Sequence, residues 1–303
     1  MAGTFKSKFR HFLKSFKILK HPFALVFYII IWIYVASLLI PAIWVFVNTF
    51  KDSLEFRFNR FGLPETFSLE NYVNVFSKMY IQNVDPPYEK IYVPQLMLNG
   101  FSYSILNVIS TNICNCMVAY GCTKYKSKFG SFLRAFAIVT MILPLVGSLG
   151  ATLRLYRALG LYKNFLGIIL AHAGWGGTTF LLYCGVFKGV ANDYRDAAFV
   201  DGAGHWRVFV TIMLPMIKTS IVALCILGFI NSWNDYMTPL VYLPNYPTIA
   251  YGLFTFRNSK DSLVSQIPMQ LTGCVVVMVP IIILFTCFKN KIMGNLAIGG
   301  LKG

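Results

Sequence analysis

The chain has 303 residues, 56% hydrophobic and only 13% charged, with a mean hydropathy of +0.61. A soluble globular chain carries about 25% charged residues, so this composition excludes a water-soluble domain and points to a chain held mostly in lipid. The formal net charge of +16 does not indicate nucleic acid as a partner, because the basic residues cluster beside apolar runs and form no stripe with base-stacking aromatics.

Residues 1–24 make a basic segment with Lys6, Lys8, Arg10, Lys14, Lys17 and Lys20 and no acid before residue 25. Phe5, Phe9, Phe12 and Phe16 recur at helical spacing, which predicts a cytoplasmic segment lying against lipid headgroups. Leu25 to Val47 is long enough to cross a hydrocarbon core of about 30 Å. It exceeds the apolar core of a cleaved leader and shows no small-residue cleavage site, so it reads as a retained first span. Residues 51–95 follow as a long wet loop with acids and bases in near balance and with Pro64, Pro86 and Pro87. Opposite a basic terminus, such a loop belongs outside.

Leu96 to Gly121 is a second span of unusual polarity. Tyr103, Asn107, Thr111 and Asn115 recur every four residues and form a stripe that turns slowly around one face. Such side chains avoid lipid and face a bundle, either as helix-packing glue or as the lining of a substrate pathway. Lys124, Lys126, Lys128 and Arg134 then mark a cytoplasmic loop. Phe132 to Leu149 is the third span, and Arg154, Arg157 and Lys163 lie in an exterior loop as an exception to the charge rule. Phe165 to Phe187 is the fourth, with Gly174, Gly176 and Gly177 allowing close helix contact or a kink. Val208 to Ile230 is the fifth, Ser232 to Gln266 a second exterior loop, and Leu271 to Phe288 the sixth, closed by Lys289 and Lys291. The predicted fold is an all-α integral membrane bundle of six spans over residues 25–291, with both termini cytoplasmic.

Between the fourth and fifth spans, residues 188–214 form a polar cytoplasmic loop with internal structure. Asp193 is placed to cap a helix, with Asp196 three residues on to reach back in the manner of a capping box. Ala197 and Ala198 predict a helix surface smooth enough for another protein to approach. Gly202-Ala203-Gly204 breaks that helix, His205 to Phe209 restarts one, and Leu214-Pro215 leads into the next apolar run. The expected form is a helix-turn-helix knob at the membrane surface.

The order Asp196-Ala-Ala-Phe-Val-Asp201-Gly-Ala203, followed by Phe209, Ile212 and Leu214-Pro215, resembles the EAA loop of ABC importer permeases, the type I six-span family. Two positions depart from that pattern, Asp196 where Glu is usual and Thr219 where a second Pro is common. The resemblance implies that Asp193, Asp196, Ala197, Ala198, Asp201, Gly202, Ala203 and Gly204 dock on a partner ATPase. Leu63-Pro64 with Phe67 to Tyr72, Leu159-Gly160-Leu161 and Ser232-Trp233-Asn234-Asp235 are similar to segments of the carbohydrate branch. Residues 292–303 form a cytoplasmic tail that resembles the Lys-Gly-ended tail of maltose-type permeases. For Gly299, Gly300, Lys302 and Gly303 the likeness implies entry into the ATPase dimer. Trp233 could stack on a sugar ring or sit in an interfacial aromatic belt. Asn107, Thr111, Asn115, Trp233 and Asn234 are thus the candidates for a substrate pathway.

Nothing else in the sequence carries chemistry. All seven cysteines fall in or beside apolar runs and read as small buried hydrophobes. His11, His21, His172 and His205 are scattered without metal-ligand spacing, and no G-x-x-x-x-G-K-[ST] stretch is present to cradle ATP. The resemblance therefore implies a non-catalytic permease of a bacterial cell membrane. No metal or cofactor is expected on this chain, and ATP and Mg would sit on a partner ATPase dimer. A second permease subunit and an extracellular solute-binding protein would complete the importer. A non-sugar cargo is the nearest alternative. An ion-coupled secondary transporter is more remote, since the spans lack carboxylates and repeats, and a receptor or scaffold that moves nothing is the other rival.

Overall fold

A computed structural model describes residues 22–82, 89–125, 127–143 and 147–296. Most of the basic 1–24 segment lies outside the described residues, as do the tail positions Gly299, Gly300, Lys302 and Gly303. The chain divides into two units, residues up to Tyr72 with Gln266–Val275, and Val73–Ser265 with Val276 onward.

In the first unit, α1 (Pro22–Asn48) is apolar on all sides and its side chains are exposed along the span, the surface a lipid-facing helix presents. The chain then folds back on its end. Buried Lys51 donates to the carbonyls of Asn59 and Gly62 at 2.6 and 2.7 Å, which replaces the water an ammonium group loses on burial. A short helix, α2 (Ser53–Phe58), is capped by Asp52. Asn71 donates to the carbonyls of Thr49 and Lys51, and Phe50 packs on Phe67 at 4.8 Å. The expected wet loop is therefore built, not slack. Beyond it, α3 (Glu70–Lys78) leads to an antiparallel hairpin of β1 (Tyr80–Gln82) and β2 (Lys90–Tyr92), with Ile81 opposite Ile91. This corrects the all-α expectation in a small way, since Tyr and Ile favour a pleated surface.

The second unit is arranged along α4 (Val93–Lys124), which packs against α5 (Lys128–Ile142), α7 (Phe165–His172), α8 (Gly177–Gly189) and α11 (Lys218–Trp233). Ser127 caps α5 by accepting from the Gly130 N–H at 2.9 Å. A Cβ on Gly130 would lie 3.0 Å from the Cα of Cys122, so this glycine sets how closely α5 approaches α4.

Three of the expected spans need correction. The third was expected as one helix from Phe132 to Leu149, but α5 ends at Ile142. Leu143 precedes Pro144, whose ring pushes the residue before it into extended backbone, and Leu143 has φ −73° and ψ 116°. A further helix, α6 (Ser148–Ala158), follows. The fourth span is two helices, α7 and α8, bent by 52°. Gly176 and Gly177, at φ 122° and 63°, make that break, so the kink reading of these glycines fits. The fifth, expected as Val208 to Ile230, is α10 (His205–Met216) and α11, bent by 77°. Pro215 offers no N–H and its ring crowds the carbonyl of Thr211. There the helix widens into a π turn over Phe209–Met213 before Ile217 leaves helical geometry. Outside these, α12 (Met237–Tyr242) and α13 (Ile249–Arg257) occupy the second exterior loop, and α14 (Ile267–Leu296) contains Pro280. Among the described residues three helices alone are long and apolar enough to cross a membrane, and the two bent pairs also qualify when joined.

The α7–α8 break exposes backbone groups that hydrocarbon cannot satisfy, and α4 supplies the partners. Asn115 accepts from the Gly176 N–H at 2.9 Å and donates to the carbonyls of Thr111 and Gly174 at 2.8 and 3.4 Å. Thr111 donates to the His172 carbonyl at 3.4 Å, and Asn112 accepts from the Tyr183 hydroxyl at 2.8 Å. Below this ladder Tyr120, Phe180, Tyr183, Phe187, Phe209 and Met213 form the main core. Cys116, Cys122 and Cys184 are buried there, whereas Cys274 and Cys287 on α14 are exposed, against the expectation that all seven are buried.

Asn115→Leu should strand the Gly176 N–H and the Gly174 carbonyl, at about 1–3 kcal/mol for each. The expected result is a lower melting temperature of the detergent-purified protein, and an unchanged one would contradict the ladder. Gly130→Val should destabilise by about 1–3 kcal/mol, the range for overpacking, while Gly121→Ala, with nothing within 4 Å of its Cβ position, should not. Equal melting shifts for the two glycine variants would show that the α4–α5 approach is not tight.

Candidate functional site

The loop expected over residues 188–214 carries a helix-turn-helix knob, with its helices between Asp193 and Met216. Its first helix, α9, runs Asp193–Val200, and its second is the start of α10. Asp193 is the first residue of α9 and not its cap, which corrects the capping-box expectation. Asn192 holds the cap position without a capping side-chain bond, because its carboxamide oxygen accepts instead from Lys124 at 3.1 Å. Asp193 and Asp196 still lie in the first turn, where carboxylates oppose the positive end of the helix dipole.

The end of α9 follows from three residues. Gly202 has φ +79° and donates to the Phe199 carbonyl at 3.0 Å, and Ala203 donates to the Ala198 carbonyl at 2.9 Å. That pair of bonds is a Schellman stop, which needs a left-handed residue after the cap. Asp201 is the cap itself. Gly204 then enters α10 in extended backbone.

Asp193, Asp196, Ala197, Asp201, Gly202 and Gly204 are exposed, and Ala203 is half-buried. Ala198 differs. It is 7% exposed and packs into the chain's own core beneath the knob, so of the two alanines only Ala197 offers a smooth outer surface. Asp196 is engaged by its neighbour Arg195 at 2.8 Å, with its side chain still about half exposed. The sequence reading missed the apolar part of this surface, where Tyr194, Val200 and Trp206 are exposed, Val200 at 87%. The available signal was the presence of large apolar side chains inside a loop otherwise read as polar.

A second group missed from sequence lies at the end of α4. Lys124 and Arg134 were read only as charges that orient the chain. Lys124 is 4% exposed and donates to the Val190 carbonyl as well as to Asn192. The last carbonyls of a helix lack partners; here Arg195 donates to that of Lys124 and Arg134 to that of Cys122. The Tyr125 hydroxyl bonds His205 Nδ1 at 2.8 Å, and the Arg195 guanidinium lies over the rings of Tyr125 and Phe199 at 5.7 and 6.0 Å.

Toward the other end of α4, the candidate pathway residues bind their own chain. Asn107 donates to Ser232 at 2.8 Å and Tyr103 to Asp235 at 2.8 Å, while Asp235 also accepts from the Thr238 N–H. Trp233 is buried, donates to the Val277 carbonyl at 3.2 Å and stacks with Phe229. Its ring is thus open neither to a sugar nor to the membrane interface. Asn234 is the exposed member of the set and donates to the Ile230 carbonyl at 2.8 Å. Among the described residues no group of His, Cys, Asp or Glu is placed to hold a metal ion.

These features agree with comparisons to known proteins. The family described as "Binding-protein-dependent transport system inner membrane component" matches residues 113–292, more than half of the chain and the whole knob. A probable ABC transporter permease protein of Bacillus subtilis, YurM, is 25% identical over 91% of this chain and 88% of its own. The arabinooligosaccharides transport system permease protein AraQ of Halalkalibacterium halodurans is 27% identical over 87% and 91%. The diacetylchitobiose uptake system permease protein NgcG of Streptomyces coelicolor is 22% identical over 92% and 89%. In fold, the chain is similar to a component of a bacterial ABC transporter that imports the acidic polysaccharide alginate, with a TM-score of 0.72 at 19% identity over 88% of this chain and 95% of that one. The chain belongs to the family of inner-membrane components of binding-protein-dependent transport systems.

Proposed function

We propose that the chain is a permease subunit of a carbohydrate ABC importer, with oligosaccharides as cargo. Family membership implies an ATPase and a solute-binding protein as partners, and relatives named for arabinooligosaccharide and diacetylchitobiose uptake support the sugar. The observation that carries the reading is the knob itself: an outward apolar and acidic face on a framework braced from within.

In this reading there are six spans, built on α1, α4, α5, α7–α8, α10–α11 and α14. Both termini and the knob are cytoplasmic, and residues 51–95 lie outside. This agrees with the contact between the end of α4 and the knob, since both then share one side of the membrane. The working complex contains a second permease subunit, making a heterodimer, together with an ATPase dimer that holds ATP and Mg. This chain performs no catalysis.

ATP closes the ATPase dimer, and the knob seated on it is carried along. The spans then move between inward-open and outward-open states, an equilibrium biased by nucleotide. Asp193, Asp196, Ala197, Asp201, Gly202 and Gly204 meet the ATPase together with Tyr194, Val200 and Trp206. Ala198 and Ala203 support that face from beneath. The tail residues Gly299, Gly300, Lys302 and Gly303 enter the ATPase dimer. Asn107, Thr111 and Asn115 act chiefly as packing glue beside the pathway. Trp233 supports its wall, and Asn234 is the member free to meet cargo.

The reading is tested by purifying the tagged chain from its native membrane in mild detergent. The expected companions are an ATPase, a second permease and a binding protein whose melting temperature rises with arabino-, malto- or chito-oligosaccharides. A binding protein that ignores every glycan would overturn the sugar, and the absence of an ATPase would overturn the importer. Gly202→Asp adds an anion at an open position and strains the left-handed turn that shapes the knob, and should abolish uptake while the chain is still inserted. Normal uptake by that variant would remove the coupling role of the knob. Ala198→Arg should instead reduce abundance, because it drives a charge into the core.

A further inference from the structure

The knob meets the end of α4 and the residue that caps it at three places, all within the consecutive residues Lys124 and Tyr125. Lys124 holds the entry to the knob through the Val190 carbonyl and Asn192. The Lys124 carbonyl holds the first knob helix through Arg195, and Tyr125 holds the second through His205. The Lys124 ammonium is buried, so its donors depend on these acceptors in place of water. The Arg195 bond is charge-assisted and sits at the negative end of the α4 dipole. Ala198, Phe209 and Met213 add packing into the core below, while along the chain α10 joins α11 through the 77° break at Ile217, a position outside helical geometry.

From this arrangement we infer that Lys124, Arg195 and the Tyr125–His205 pair form a rigid coupling joint that makes α4 the lever through which movement of the knob reaches the membrane. They are positioning residues, and none needs to touch cargo or nucleotide. A body held at three separated points does not swivel about one bond, so knob and α4 move together while the Ile217 break absorbs the difference in α11. What α4 then moves is also visible. Its Asn115 and Thr111 hold the backbone of the α7–α8 break, and Asn112 holds Tyr183 of α8. The break at residues 173–176 is the element whose equilibrium the joint biases. This inference rests on the knob being the ATPase-docking element.

The test is hydrogen–deuterium exchange on the intact complex, co-purified with its ATPase, with and without ATP plus vanadate. In the wild type, nucleotide trapping should alter exchange at residues 193–208 and also at 110–117 and 173–177. In the Lys124→Met and Arg195→Gln variants the ATPase should still co-purify and residues 193–208 should still respond. The nucleotide-dependent change in opening at 173–177 should fall about tenfold, equivalent to about 1.4 kcal/mol of lost coupling. Lys124→Arg, which keeps a charged donor, should restore most of it. Tyr125→Phe, which removes a single partly exposed hydroxyl, covers the case in which the other variants fold poorly, and should give an intermediate loss. An undiminished response at 173–177 in the well-folded variants would overturn the joint while leaving the importer reading intact. A wild-type chain that brings no ATPase would overturn the reading on which the joint rests.

Discussion

Backbone polar groups inside a bilayer have no water to fall back on, and the second unit is arranged around meeting that constraint. A continuous helix satisfies its own ladder, so α4 costs nothing in this respect along its length. The α7–α8 break does not, and Asn115 provides both an acceptor for the Gly176 N–H and a donor for the Gly174 carbonyl. A helix end leaves its last carbonyls without intrahelical partners, and at the α4 terminus Arg134 and Arg195 fill them. One helix therefore stabilises a bend in its neighbour at one level and anchors a surface knob at another. A stripe of polar side chains thus serves as internal bonding between helices.

The knob shows how a short surface element gains rigidity without bulk. The α9 helix has eight residues, too few to persist alone. It is held by acids in its first turn, a Schellman stop at its end, Ala198 packed inward and the side chains at the end of α4 around it. With the framework fixed from within, the outward residues are left free to serve a partner. That division explains why Ala197 and Ala198, adjacent in sequence and alike in chemistry, have different surroundings.

Much of this was legible from sequence, for identifiable reasons. Apolar runs located the long helices α1, α4 and α14, because lipid solvation acts on segments read locally. The glycines at 174, 176 and 177 allowed close contact or a kink, and Gly176 and Gly177 make the kink because their left-handed backbone suits glycine. The knob was legible because its turn needs Gly202. The bend at Ile217 was hidden, as Pro215 near a helix start is tolerated in many contexts and the π turn beside it leaves no signature in composition. The role of Lys124 was hidden for a related reason: a lysine after a span normally marks the cytoplasmic side, and only its burial against Val190 and Asn192 reveals a bond. Trp233 belongs with these, because an aromatic near a span end reads the same whether it faces lipid, cargo or, as here, Phe229 and Val277.

Cross-linking mass spectrometry on the complex isolated from its own membrane tests the coupling knob most directly. Exposed Lys128 follows the end of α4 that bonds the knob, exposed Lys188 precedes the knob, and the carboxylates of Asp193 and Asp201 lie on it, so amine- and carboxyl-reactive linkers can report on what covers it. The expected result is a set of links from these four residues to a single ATPase chain, with links to the binding protein confined to loop residues such as Lys90 and Lys163. Links from the knob to the binding protein, or an ATPase linked only through Lys90 and Lys163, would contradict the assignment of this face as the point where ATP drives the permease.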